Sequence, residues 1–158
     1  MSALIYVETS IASFYHETRM EAQFQARREW TRAWWEVARR RDELVTSLAV
    51  IAELEAAPEP KRTKGVALLE PLPLLQSSPE VDELVAVYVK HKLMPTDATG
   101  DARHLALATF YGCASLATWN CRHIANPNKR EHIERVNAML GFETPLLVTP
   151  FELLETES

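Results

Sequence analysis

Short apolar runs of strand length alternate with helix-patterned segments along the whole of this chain, and no other feature constrains its fold as much. Apolar runs occur at 4–7, 43–46, 72–75, 115–119 and 146–149. Helical periodicity fills the intervals at 11–15, 20–41, 47–57, 61–69, 78–91, 101–111 and 129–140, with a last helical turn at 150–154. Strands that are apolar on both faces and separated by helices belong to a parallel sheet, because each crossover helix must cover a face. The expected fold class is therefore α/β: a three-layer α/β/α sandwich with a mainly parallel sheet. The chain has 158 residues and no repeat, low-complexity segment or long linker, so a single domain over 1–158 is expected.

Local signals set the expected boundaries. Ser10, Ser47 and Ser78 stand where N-caps belong, and Asp101 opens a helix in the same way. Pro58 and Pro60 break the chain before a new helix, and Gly112 and Gly141 mark helix ends. In the helix at 20–41, Phe24, Thr31, Trp35 and Ala38 form one stripe, with Trp30, Trp34 and Val37 beside it. That is more aromatic area than one short helix face usually buries. Trp30, Trp34 and Trp35 are therefore expected to form an interface for a second copy or another partner.

Three carboxylates lie near the ends of strand–helix units. They are Glu8 in Tyr-Val-Glu-Thr-Ser, Glu53 in Val-Ile-Ala-Glu-Leu, and Asp101 in Asp-Ala-Arg-His-Leu-Ala. In open parallel sheets the ligand crevice lies outside the carboxyl ends of the strands. Glu8 and Asn120 follow strands directly and belong on that edge; Glu53 and Asp101 reach it if their helices lean inward. An unpaired carboxylate beside apolar sequence is costly, and a divalent cation makes a cluster of them tolerable. Each also has a plainer role open to it. Asp101 is a good N-cap, Glu53 an ordinary helical glutamate, Glu8 a partner for an arginine, and Asn120 a turn former.

Other chemistries fit the residues less well. Only Gly65, Gly100, Gly112 and Gly141 are glycine, so no glycine-rich phosphate loop exists. The histidines form no His-Glu-x-x-His helix, and Ser10 and Ser47 lack the glycine-flanked turn of hydrolase nucleophiles. His104, one turn beyond Asp101, reads as a packed, hydrogen-bonded histidine rather than a ligand. Cys113 and Cys121 match no zinc pattern and read as free thiols. The net charge of -5 argues against a protein that coats nucleic acid, although it leaves room for a local site. Basic residues do cluster, at Arg27, Arg28 and Arg32, at 39–41, at Lys61, Arg62 and Lys64, and at Lys129 and Arg130, where solvated helix faces are the simplest account. No run of about 18 apolar residues suggests a membrane span. The N-terminal stretch lacks the pattern of a signal peptide, so a cytoplasmic location is expected.

Four segments together resemble the PIN-domain family, and within it the VapC-type toxins of toxin–antitoxin pairs. Tyr6-Val7-Glu8-Thr9-Ser10 resembles the family's opening strand and first acid. Ser47 with Glu53 resembles the second-acid segment, and Asp101 to Ala106 the third-acid helix. Leu116-Ala117-Thr118-Trp119-Asn120, followed by Arg122-His123, resembles the strand that carries the fourth position. The resemblance implies a PIN-like three-layer domain that binds Mg2+ or Mn2+ through Glu8, Glu53 and Asp101 and cuts RNA. It also implies a homodimer, a small antitoxin protein as partner, and a hydroxyl at Thr118 that supports the acids.

Two positions depart from the family's usual pattern. Glu8 stands where Asp is usual and keeps the charge on a longer arm. Asn120 stands where many members have Asp, which removes a charge and favours a single firmly held metal. The implied reaction is hydrolysis of an RNA phosphodiester. Asn120 would orient a water or phosphate oxygen, Thr118 would fix Asp101 or Asn120, and Arg122 or Arg103 would grip phosphate. The alternatives are a non-catalytic PIN-like binding module that acts through dimerisation and antitoxin binding, and a DNA-directed or flap nuclease using the same acids.

Overall fold

Ile5, Tyr6 and Val7 are buried in succession, although neighbours in a strand face opposite sides of the sheet. Both faces are therefore covered, as the apolar run requires. The computed structural model describes residues 2–95 and 99–155, apart from the side chain of Thr99. Among these, β1 (Leu4–Val7) leads through α1 (Thr9–Tyr15) and α2 (Ala22–Arg41) to β2 (Glu43–Ser47). Next come α3 (Leu48–Glu55), α4 (Lys61–Leu69), β3 (Leu74–Leu75), α5 (Pro79–Lys90) and α6 (Thr99–Phe110). The chain continues with β4 (Ser115–Ala117), α7 (Pro127–Met139), β5 (Leu146–Val148) and α8 (Pro150–Glu155). Among the described residues, no helix is long and apolar enough to cross a membrane.

The strands form one sheet in the order β3-β2-β1-β4-β5, and every neighbouring pair is parallel. The fold is the expected α/β class, with a sheet wholly rather than mainly parallel. Ile5 pairs with Leu44 on one side and Ser115 on the other, which makes β1 the centre. The chain winds outward through β2 and β3, then returns to the other side of β1 for β4 and β5. The switch in strand order lies between β1 and β4, and in sheets of this kind ligands bind at the carboxyl ends of the strands beside that switch.

Helix ends follow the sequence signals closely, with informative exceptions. Ser47 Oγ accepts from Val50 N at 3.3 Å and Ser78 Oγ from Val81 N at 3.2 Å. Gly112 and Gly141 take φ of 68° and 83°, a left-handed turn that glycine enters without a Cβ penalty. However, α1 is capped by Glu8 and not by Ser10: the Glu8 carboxylate accepts from Ser10 N. Asp101 lies inside the first turn of α6, which already begins at Thr99. β4 stops at Ala117, so Thr118, Trp119 and Asn120 form the turn beyond it.

The tryptophan face also differs from expectation. Trp34 is fully buried and Trp35 is 6% exposed, both in the core; Trp30 alone is exposed, at 37%. Tyr15 packs edge-on against Trp35 at 6.2 Å, so α1 covers area that α2 alone would leave open. Burying such a ring removes about 150–250 Å² from water, worth roughly 4–6 kcal/mol, and this favours the inward packing.

Candidate metal centre

Glu8 is the first residue after β1, and its backbone N–H extends the ladder to Ala117 O at 3.2 Å. The side chain turns into the crevice and is 95% buried. Its Oε1 accepts three donors: Ser10 N at 3.1 Å, Ser10 Oγ, and Thr118 Oγ1 at 2.6 Å. No described residue donates to Oε2. Ser10 on α1 and Thr118 after β4 thus clamp one oxygen of Glu8 and leave the other without a described donor.

Glu53 arrives from α3 and is the exposed member of the site. Its Oε1 accepts from Thr9 Oγ1 and from His104 Nε2, the latter at 2.8 Å. Its Oε2 lies against the start of α6, where a Cβ built on Gly100 would sit 2.8 Å away. Again no described residue donates to Oε2.

His104 is fully buried on α6 and joins the two elements. Its Nδ1 lies 2.7 Å from Tyr6 Oη, which lies 2.8 Å from Ser47 Oγ. Burial works to lower the pKa of His104, but the Glu53 hydrogen bond and the charges of Glu8, Glu53 and Asp101 outweigh it, and the net shift is upward. For Glu53, burial pushes upward, and the hydrogen bonds and charge of His104, with Thr9, bring the net shift downward. Both shifts favour an ionised Glu53, to which Nε2 must donate its proton. The buried Tyr6 phenol is pushed well above its usual range, chiefly by desolvation, so it stays neutral and serves as a relay of hydrogen bonds.

One ligand atom each from Glu8, Glu53 and His104 lies within 4.8 Å of the others. Two carboxylates, each with one oxygen lacking a described donor, form a pair that fits a divalent cation, with the His104 imidazole hydrogen-bonded beside them. The group could hold a metal ion, and its chemistry does not by itself select which one.

The structure thus brings Glu8 and Glu53 together, with Thr118 as the clamp on Glu8. Asp101 is not in the group: it is half-buried one turn before His104, and its charge reaches that ring. Thr118 holds Glu8 rather than Asp101, and accepts from Asn120 N at 2.9 Å. Asn120 caps a turn, its Oδ1 accepting from His123 N at 3.0 Å. Arg103 is engaged elsewhere, with Ser77 Oγ at 2.7 Å and Asp82 Oδ1 at 2.9 Å, which removes it as a phosphate grip. His104 is the packed, hydrogen-bonded histidine expected, and three features escaped the sequence reading: Thr9, Gly100, and the pairing of His104 with Glu53. A signal existed for two of them. Thr9 directly follows an acid that ends a strand, and His104 stands three residues after Asp101, on the same helix face.

No protein-family model matches the chain, and no curated protein matches it. The donor set and its place in the sheet therefore carry the functional reading.

Proposed function

We propose that the protein is a Mg2+- or Mn2+-dependent endoribonuclease of the PIN-domain, VapC toxin type. The observation that carries this reading is the meeting of Glu8, Glu53 and His104 within 4.8 Å at the switch between β1 and β4. A divalent ion held there would lower the pKa of a bound water and neutralise charge on a phosphodiester. Glu8 and Glu53 are its carboxylate ligands, and Asp101 adds charge from the first turn of α6. Thr118 and Ser10 fix Glu8; Thr9 and His104 fix Glu53 in the orientation that presents it. A second copy of the chain and a small antitoxin protein are the partners that accompany this reading, in a cytoplasmic setting.

Purified protein should cleave RNA with Mn2+ or Mg2+ and not with EDTA. E8Q, E53Q and D101N should each abolish cleavage while retaining cooperative melts. Absence of cleavage by folded wild type with any divalent ion would remove the nuclease reading. One observation favours a second reading in that event: Asn120 spends its side chain on a turn, so the fourth position adds no charge to the site. The protein would then be a PIN-like binding module that acts through dimerisation and antitoxin binding.

A further inference from the structure

Arg27 is half-buried, yet no carboxylate or carbonyl among the described residues accepts from its guanidinium. Its helical neighbours are matched. Arg28 donates to Glu17 O, Arg32 to Tyr15 O, and Arg39 and Arg40 to Glu36. The Arg27 guanidinium instead lies over two rings, 5.1 Å from the centroid of Trp119 and 5.4 Å from that of Phe14. Such seating holds the group in place and leaves its five N–H donors without an acceptor among the described residues.

Both rings belong to the segments that build the acid site. Phe14 is on α1, which Glu8 caps, and Trp119 follows Thr118, which clamps Glu8. Trp119 N also donates to Ser10 Oγ at 2.7 Å. Beyond Trp119 the aromatic strip continues outward. Trp30 stacks on Trp119 at 6.2 Å with 25° between planes, and Phe151 lies 4.5 Å from Trp30. Trp30 and Phe151 are each 37% exposed. A fixed cation without a partner, beside exposed rings, suits a chain of phosphates and bases. The phosphate takes the planar fork, and a base takes the ring face.

We propose that the strip formed by Arg27, Trp119, Trp30 and Phe151 binds single-stranded nucleic acid, with Arg27 on a phosphate and Trp30 stacking a base. The nuclease reading is needed only for which bond that strand presents to Glu8 and Glu53. Binding by the strip stands or falls separately.

The test is fluorescence anisotropy with a labelled oligouridylate in EDTA, so that nothing is cut, over a series of salt concentrations. R27Q should weaken binding about tenfold or more. It should also reduce the slope of log K against log salt by about 0.7, the value of one single-strand phosphate. R27K should keep that slope and part of the affinity. W30A should weaken binding about fivefold or more with an unchanged slope, because stacking releases no counterion. R27Q or W30A that melts like wild type and binds with wild-type affinity would overturn the proposal, as would failure of wild type to bind. If W30A instead changes only the oligomeric state, the exposed rings face a second copy and the proposal is wrong. Binding that depends on Arg27 without any metal-dependent cleavage would support the strip and remove the nuclease reading; cleavage that R27Q leaves untouched, with unchanged binding, would do the reverse.

Discussion

A single methyl group is enough to probe the site. Among the described residues, Glu53 Oε2 is the one atom that a Cβ on Gly100 would meet, at 2.8 Å, and Gly100 has no left-handed backbone that would forbid alanine. G100A should therefore push the Glu53 carboxylate from its place without harming the fold. Divalent-ion affinity should fall about tenfold or more, as it does when the supports of a ligand are removed. Stability should hold, or rise by up to about 1 kcal/mol, because alanine is the better helix former. Ion titration and a thermal melt of the same sample would show the two effects with opposite signs; equal metal affinity would mean that Glu53 takes no part. The Glu53–His104 pair makes a second prediction, for metal-free protein. His104 is held protonated to higher pH than in the unfolded chain, so its contribution is complete below about 6.5 and is lost as pH rises through its folded value. Glu53 is held ionised to lower pH, so its contribution is present above about 4.5 and is lost as pH falls through its folded value. The two overlap between about pH 4.5 and 6.5. The difference in Tm between wild type and E53Q, measured in EDTA, should be largest in that window and shrink on both sides.

Helices and strands were legible where one residue type settles the backbone, and less so where side chains compete for it. Ser47 and Ser78 cap as their sequence suggests, Ser47 while its hydroxyl also meets Tyr6 Oη at 2.8 Å. Ser10 has the same local signal, but Glu8 accepts from the backbone N–H of Ser10 and ties the Ser10 hydroxyl to itself, so α1 starts two residues earlier. β4 is shorter than its apolar run suggests: Thr118 N still donates to Val148 O at 3.0 Å, but the next N–H, of Trp119, donates to Ser10 Oγ and the chain leaves the sheet. The burial of Trp34 and Trp35 could not be read from α2 alone, because it depends on what α1 lays across them. That Glu8 and Glu53 come together was legible, Glu8 from its place at a strand end and Glu53 from its charge in the helix after the second strand. The Glu53–His104 contact was not, because 51 residues separate the two and only the fold brings α3 to α6. Another contact of this kind joins α5 to α7. The fully buried Tyr88 donates to the fully buried Asn137 Oδ1 at 2.6 Å, and Asn137 Nδ2 donates to Thr144 Oγ1 at 2.9 Å. N137A would take from the buried Tyr88 hydroxyl its 2.6 Å acceptor, leaving Thr109, at a cost of roughly 1–3 kcal/mol before any cavity is counted. Tm should fall by at least several degrees, and N137L combined with Y88F, which removes both polar partners, should recover part of the loss. A melt of N137A that matches wild type would show that the pair adds nothing.

At the scale of the whole molecule, strand order decides what folding does with charge. The order β3-β2-β1-β4-β5 places the ends of β1 and β4 side by side, and that alone sets Glu8 against Thr118. α3 and α6 then bring Glu53 and Asp101 toward the same end. A chain with 22 acids against 17 lysines and arginines folds by gathering three of those acids around one histidine. Hydrogen bonds offset this for one oxygen of each glutamate, and the remaining oxygens have no described donor to offset their charge. Divalent ion should therefore stabilise the folded chain and not the unfolded one. At one hundred times its dissociation constant, an ion that binds only the folded state adds about 2.7 kcal/mol. For a chain of this length each kcal/mol moves Tm by about 2–4 °C, so Mn2+ should raise Tm by roughly 5–10 °C over EDTA. Screening of exposed charge would also raise Tm, but it depends on ionic strength alone. Potassium chloride at matched ionic strength should therefore give little shift, and E8Q and E53Q should lose the Mn2+ shift while keeping whatever potassium gives. A wild-type shift no larger with Mn2+ than with potassium would mean that the crevice between β1 and β4 gathers charge without holding an ion.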